Sequence, residues 1–421
     1  MFAFLPSHRV LAGVIAVVLG ASPLVAVRAE PLSFERAQHL AENTAPENLA
    51  RLAQVESAQS SVGPADALPD PKLMLGIQDL PIQDSDRYSF HSDSMTERQI
   101  GLSQQVPNSD KRLARKQLAL ANVDVAEAER RASLLEIKRQ TALAWLNVYY
   151  AELSVKNFDQ LDHQVALLRS TTPSRIAAGT AQAGDLLQAD QQALALADRR
   201  DELVQNIAMT RAKLRRWIGA DADQPLADGP PTWGPILPHT QHSLERHPDL
   251  QAATARVSEA NAELADAIAQ KKPDWGVELV YAQRDRQLGG DTASLKFTFD
   301  LPLFTGSRQG PRINARQHEV EQREAEQEVM LREHKAELES GLAELDRLKK
   351  ALERSQQSAI PLAERRAELS LASYKAGKSP LNEVIGARRD LIEAQLRSVT
   401  QQNQFSQLSA SLYYAYVEGL K

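Results

Sequence analysis

The sequence predicts a mainly α-helical protein with a small β part. Each chain is expected to give four strands to a β-barrel shared between protomers, and long helices are expected to leave the inner end of these strands. Three observations support this prediction. The stretch 110–170 contains neither proline nor glycine, two pairs of short segments alternate apolar with polar residues, and the whole plan occurs twice along the chain.

Composition agrees with long helices. Only 5% of the 421 residues are aromatic, 25% are charged, and alanine, leucine, glutamine, glutamate and arginine dominate. The absence of cysteine excludes disulfides, thiolate metal sites and cysteine nucleophiles. With 49 basic against 55 acidic side chains, there is no electrostatic argument for nucleic-acid binding.

The first 29 residues have the pattern of a secretory signal peptide. His8 and Arg9 precede the apolar stretch Val10–Leu19, and Val27-Arg28-Ala29 offers small residues at a cleavage site. An apolar stretch of about ten residues is too short for a transmembrane helix, which needs about 20. No later apolar run is that long. We therefore expect any membrane-spanning part of the mature protein to consist of strands.

Two halves of the chain share one plan. The turn sequence Arg175–Thr180 is followed by Asp185, and a similar run, Ser373–Lys378, is followed by Glu383. This spacing predicts two structural repeats, 30–235 and 236–421. The first repeat is expected to hold a helix within 33–61, a β-hairpin at 72–106, a long helix at 110–172 and a helix at 183–218. The second is expected to hold a helix at 240–270, a β-hairpin at 275–303, a long helix at 311–376 and a helix at 381–417.

The alternating segments favour a transmembrane β-barrel. In 294–303, Leu295, Phe297 and Phe299 share one face and polar residues the other. Segments of about ten such residues are typical of outer-membrane strands, although a soluble sheet packed on a helix has the same period. Four strands cannot close a barrel, and an open edge in lipid leaves backbone groups unpaired. We therefore expect several chains to share the wall, with these polar residues lining a water-filled lumen: Glu278, Lys296, Thr298 and Asp300.

The helices alone fit a second architecture. Long helices whose apolar stripe is mostly alanine and leucine also occur in a coiled-coil spacer exposed to water. The alternating strands are what favours the barrel over this alternative.

With its duplicated plan and its two Ala-Gly turns, each followed by an acidic residue six positions later, the chain resembles the TolC family of outer-membrane efflux channels. The run Leu68–Leu73, together with Gly101–Pro107 and Lys111-Arg112, is similar to the branch that serves heavy-metal RND pumps. The resemblance implies a homotrimer with a twelve-stranded β-barrel in the outer membrane of a Gram-negative bacterium and an α-helical barrel in the periplasm. It also implies docking to a periplasmic adaptor (a membrane fusion protein) and an inner-membrane RND pump.

The two turns would form the tips that face the adaptor. Gly179 and Gly377 lie where long helices must reverse, and glycine suits the left-handed backbone of such a turn. The resemblance implies an acidic aperture at Glu383 and a gating aromatic at Tyr374, with Asp185 as a further aperture candidate. Gly386 and Ser379 depart from the family pattern, which expects an acidic and a basic residue there. The tip residues are Gly179, Thr180, Ala181, Gly377, Lys378, Ser379 and Pro380.

No catalytic motif is present. Gly377-Lys378-Ser379 lacks the first glycine of a phosphate-binding loop and follows a helix instead of a strand. His239, His242 and His247 cluster between prolines in a connecting segment, and we assign them no metal, because no thiolate or fixed geometry accompanies them. We expect neither a cofactor nor an enzymatic activity.

Three functions remain open from the sequence. The favoured one is a passive exit duct of a tripartite efflux pump, with heavy-metal cations as its cargo. A channel for type I secretion or drug efflux would keep the pore and change the cargo. A periplasmic coiled-coil adaptor would have no pore.

Overall fold

A computed structural model describes residues 31–83, 85, 87–179, 183–227, 229–233, 244–285 and 289–418. The predicted signal peptide, Thr180, Ala181, His239 and His242 lie outside these ranges. Within the described part of the chain, none of the helices combines the length and the apolar character that a membrane span requires.

The described residues of the first half form four α-helices. They are α1 (Phe34–Thr44), α2 (Pro46–Ala65), α3 (Ser109–Ala177) and α4 (Ala183–Ile218). A single helix was expected within 33–61, but Pro46 holds Ala45 in an extended conformation and divides it in two. The 69 residues of α3 form a rod of roughly 100 Å, capped by Asn108, whose side chain accepts the Asp110 N–H at 2.9 Å.

In the second half, the residues that the structure covers also form four α-helices. They are α5 (Pro248–Ala269), α6 (Gln309–Arg354), α7 (Ile360–Lys375) and α8 (Leu381–Tyr413). The long helix expected at 311–376 is interrupted by a π-helical turn, Ser355–Ala359. Pro361 is the cause, because its ring displaces the carbonyl four residues earlier and it has no N–H to offer. A second π-turn, Tyr414–Glu418, follows α8.

The helix expected at 240–270 begins at Pro248, and residues 240–243 lie outside the described part. Proline is favoured at the first helical position, where its fixed φ suits the helix and no N–H is needed.

Four antiparallel strands form one sheet in the order β1-β2-β3-β4. They are β1 (Lys72–Gln78), β2 (Glu97–Val106), β3 (Trp275–Gln283) and β4 (Thr292–Phe299). The two hairpins thus join edge to edge through β2 and β3. The last strand was expected to reach Leu303, but its ladder stops at Phe299, and the Asp300 N–H instead donates to the Asp274 carbonyl at 2.8 Å.

Polar contacts at the base of the sheet, where α3 and β3 begin, also connect the two halves of the chain. Asp274 accepts the Asn108 N–H at 2.8 Å and the ammonium of Lys111 at 2.9 Å. The Lys111 side chain is only 8% exposed, so this ion pair is largely withdrawn from water. The contact fixes the start of α3 of the first half against the start of β3 of the second.

The main hydrophobic core lies between α1, α3, α4 and α8. Trp145 of α3 is fully buried, and its indole N–H donates to the Leu32 carbonyl at 3.4 Å. Alanine contributes many of the other buried positions, which lets the helix backbones approach closely. Two smaller clusters continue along α3, α4, α7 and α8 toward the Gly377 turn. The fold therefore places the sheet at one end of the long helices and that turn at the other.

Candidate functional site

One face of the sheet is apolar and exposed on all four strands. Leu75 is 71% exposed, Leu279 55% and Phe297 56%. The register places such residues side by side: Leu73, Leu102, Leu279 and Leu295 form one row across the sheet. An apolar band of this extent on the surface of a single chain marks a face that another apolar phase must cover.

The opposite face is polar and crowded. Glu278 pairs in register with Lys296, and Thr298 lies opposite Gly276, where an added Cβ would meet the Thr298 hydroxyl at 2.9 Å. Val280 of this face is 7% exposed, whereas its neighbour on the apolar face, Leu279, is more than half exposed. Such crowding is expected on the concave side of a sheet that curves toward its polar face.

Of the four residues predicted to line a lumen, three share this face. Glu278, Lys296 and Thr298 point to the same side, because they lie in register or two residues apart. Asp300 lies beyond the end of β4, at the base of the sheet.

Polar contacts join the two loops that leave the far end of the sheet. His91 lies 2.8 Å from the Asp285 carboxylate, and the Arg284 guanidinium binds the Glu97 carboxylate, with Nε donating at 2.7 Å. These contacts connect the β3–β4 loop both to the β1–β2 loop and to the first residue of β2, so the two hairpins are fixed to one another at this end.

The turn after α7 is a Schellman motif. The Lys378 N–H donates to the Ser373 carbonyl at 2.9 Å, and the Gly377 N–H donates to the Tyr374 carbonyl at 3.0 Å. Gly377 has φ +68°, in the left-handed region that favours glycine. Lys378 and Pro380 are exposed and Ser379 is partly buried.

The turn after α3 has the same geometry in its described part. Gly179 has φ +69°, and its N–H donates to the Ile176 carbonyl at 3.0 Å. It is exposed and nothing crowds it within 4 Å.

The aperture candidates lie close to the Gly377 turn. Tyr374 is 4% exposed and packs in a cluster with Leu381 and Val384 of α8 and with Ala189 of α4. Ala189 follows Asp185 by one helical turn, so the start of α4 and the α7–α8 turn occupy the same end of the bundle. Glu383 is exposed in the first turn of α8, where a carboxylate suits the positive end of the helix dipole.

Among the three histidines of the connecting segment, only His247 lies within the described residues. It caps α5, and its Nδ1 accepts the Asp249 N–H at 3.2 Å. Burial lowers its pKa to about 4, and the nearby His334 acts in the same direction, so the ring is neutral at neutral pH. Neither Asp249 nor His334 was singled out from the sequence, because His334 comes from α6 and no local spacing connects it to His247.

The second half of the chain matches a known protein family. Residues 240–416 match the family described as outer membrane efflux protein. No curated protein sequence matches the chain.

Solved structures share the fold over nearly the whole chain. The CmeC outer membrane channel of Campylobacter jejuni has a TM-score of 0.78 at 13% identity, over 92% of this chain and 86% of that one. CusC has a TM-score of 0.78 at 16% identity, over 91% of each chain. The outer membrane protein VceC of Vibrio cholerae has a TM-score of 0.75 at 18% identity, over 91% of this chain and 95% of that one.

Proposed function

We propose that the protein is the outer-membrane exit duct of a tripartite efflux pump, because residues 240–416 match the outer membrane efflux protein family and the chain shares the fold of TolC-type outer-membrane channels. Its sheet spans the outer membrane and its helices extend into the periplasm. The duct is passive: energy comes from an inner-membrane RND transporter, and a periplasmic adaptor connects the two.

The exposed apolar face of the sheet carries this proposal. Lipid is the apolar phase that such a band requires, and bilayer-spanning strands show this division into an apolar and a polar face. All residues of β1 and β4, the two edge strands, are exposed, and in the described part of the chain neither has a partner on its outer edge. Because unpaired backbone groups in lipid cost several kcal/mol each, the edges must pair with other copies of the chain.

Three chains would supply twelve strands and close the barrel around the polar face. Glu278, Lys296 and Thr298 then line a water-filled lumen, with Asp300 at its periplasmic entrance. We assign them no binding chemistry. Glu278 and Lys296 are paired in register, and the role of these polar side chains is to keep the lumen hydrated.

The opposite end of the protein would contact the adaptor. Gly179 and Gly377 expose two similar turns there, and Lys378, Ser379 and Pro380 extend the second one. Glu383 and Asp185 stand at the start of the returning helices, where copies from three chains would surround a narrow passage. Tyr374 packs α7 against α8, so a shift of this pair on adaptor binding would change the width of the opening.

The proposed cargo is heavy-metal cations, based on the similarity of the 68–73 and 101–107 segments to the branch that serves heavy-metal pumps. A deletion strain tests this choice. We expect lost tolerance to copper, silver, zinc, cobalt or nickel and unchanged tolerance to dyes and antibiotics; the reverse pattern would assign the duct to drug efflux.

Reconstitution tests the duct itself. The purified chain should require detergent for extraction, sediment as a trimer and produce stepwise conductance in planar bilayers. A protein recovered as a soluble monomer from the periplasm, without conductance, would instead be an adaptor with no pore.

A further inference from the structure

Two histidines and an aspartate from different helices meet in the helical part of the protein, far from the sheet. The Asp249 carboxylate of α5 lies 3.7 Å from Nδ1 of His247 and 3.8 Å from Nε2 of His334 on α6. One ligand atom from each residue lies within 4.8 Å of the other two. The two imidazole rings are 4.2 Å apart, centre to centre.

Neighbouring groups orient His334. The Tyr416 hydroxyl lies 3.2 Å from the His334 carbonyl and 3.3 Å from the Glu337 carboxylate. Both groups are acceptors, so the hydroxyl donates its one proton to one or the other of them. The hydroxyl oxygen also lies 3.3 Å from His334 Nδ1, so it is placed to accept the Nδ1–H. In a neutral ring this leaves the lone pair on Nε2, the atom that points toward Asp249. Metal-binding histidines are commonly held in this way by a partner on the second nitrogen.

The surroundings favour a cation. The three residues border a cavity of about 700 Å³ that is also lined by Glu136, Glu337 and Glu344. Arg139 pairs with Glu136 and Arg347 pairs with Glu344. Glu337 lies 3.9 Å from His334 Nδ1 and adds negative charge beside the three residues. On the inner side lies an apolar wall that includes the buried Leu250 and Leu338.

We propose that His247, Asp249 and His334 bind one divalent cation of the zinc class, with the fourth ligand a water from the cavity. Two imidazoles and a carboxylate are a ligand set that suits Zn²⁺. Metal–ligand distances of about 2.0–2.1 Å in a tetrahedron separate ligand atoms by roughly 3.3 Å. The two separations from Asp249 to the histidines therefore need to close by about half an ångström, and the widest separation among the three ligand atoms, at most 4.8 Å, by no more than about 1.5 Å. Coordination through His247 Nδ1 exchanges its cap hydrogen bond for a metal bond.

The bound ion would join the first turn of α5 to α6. Through Tyr416 it would also engage the turn that follows α8. All three ligands come from one protomer, so the site needs no second copy of the chain to form. The ion would stabilise the helical part and would not be transported.

Zinc binding by the purified, untagged full-length protein tests the site. After equilibrium dialysis against zinc chloride, we expect one Zn²⁺ per chain for the wild type and a melting temperature that rises with zinc concentration. His334→Gln and Asp249→Asn should each weaken binding at least tenfold. Asp249 is half exposed, so its substitution tests the site even if His334→Gln fails to fold. A Co²⁺-loaded sample should show the visible absorption of a four-coordinate ion.

His318→Gln is the matched control, because His318 lies on the same helix and contacts Glu321 on the exposed surface. It should bind zinc as the wild type does. The proposal is overturned if the wild type binds no zinc, if His318→Gln weakens binding as much as His334→Gln, or if binding disappears only when His239 and His242 are replaced. None of these readouts depends on export, so a failed duct would leave the result intact.

Discussion

At the scale of single residues, the left-handed backbone at Gly377 is the first feature that a substitution can probe. A β-branched residue with φ +68° is strained by about 1–2 kcal/mol, and the strain falls on a turn held by two hydrogen bonds. We expect Gly377→Val to displace the turn and abolish export, while the protein still reaches the outer membrane as an oligomer. Metal tolerance and oligomer yield are the two measurements.

Gly184→Val is the control for this prediction. Gly184 lies in the first turn of α4, has no positive φ and has open space around its Cα. A valine there needs no left-handed backbone, so export should continue. Equal loss of export in both variants, or unchanged export in Gly377→Val, would remove the turn from the mechanism.

The Lys111–Asp274 pair is a second residue-scale test. Asp274→Asn leaves a largely buried ammonium without its carboxylate, and we expect a loss of about 1–3 kcal/mol in the stability of the sheet junction. Thermal unfolding of the detergent-solubilised protein measures it. Asp346→Asn, which breaks an exposed pair with Lys350 on α6, should cost only about 0.3–0.5 kcal/mol. A larger loss in Asp346→Asn than in Asp274→Asn would contradict this assignment.

The same contact sets a pH dependence. Burial alone would raise the pKa of Asp274, but the Asn108 N–H and the Lys111 ammonium together hold it below its usual value. A carboxyl with a lowered pKa contributes stability above its unfolded value, and that contribution is lost as pH falls through the lowered one. We therefore expect the wild type and Asp274→Asn to converge in melting temperature in strong acid and to differ most near neutral pH.

At the scale of elements, the two faces of β4 should respond oppositely to charge. Leu295 is 59% exposed on the apolar face, and its neighbour Ser294 is exposed on the polar face. An arginine near the bilayer midplane costs about 2–4 kcal/mol when it faces lipid. We expect Leu295→Arg to reduce the yield of heat-modifiable oligomer in the outer membrane and Ser294→Arg to preserve it. Equal yields would mean that the apolar face does not contact lipid.

Element types were predictable where the pattern is local. Alternation located all four strands, because successive side chains of a strand point to opposite faces. The break at Pro46 and the π-turn before Pro361 follow from prolines that are visible in the sequence. The end of β4 was not predictable, since it depends on the contact between Asp300 and Asp274.

Sites that depend on packing between helices were beyond the sequence. His334 meets His247 only because α5 lies against α6, and nothing in the spacing of the two residues indicates this. Tyr374 and Ala189 similarly come together from opposite halves of the chain. The turn glycines were predictable because the left-handed backbone is a local requirement of the turn. The residues that surround Tyr374 were not predictable, because they depend on how the helices pack.

At the scale of the whole molecule, the closure of the sheet is the decisive question, and a chain without cysteine allows a direct test. If β4 of one protomer pairs with β1 of the next, cysteines facing the same side of the wall can form disulfides between chains. Met74→Cys should be combined in turn with cysteine at Ser294, Lys296 and Thr298, which share its face. We expect one register to give cross-linked dimers and trimers in native outer membranes. Cysteine at Leu295, which faces the other side, should not cross-link with position 74. Ladders that extend beyond the trimer, or cross-linking in no register, would contradict a barrel of three chains, because a closed ring fixes both the number of subunits and the pairing at their edges.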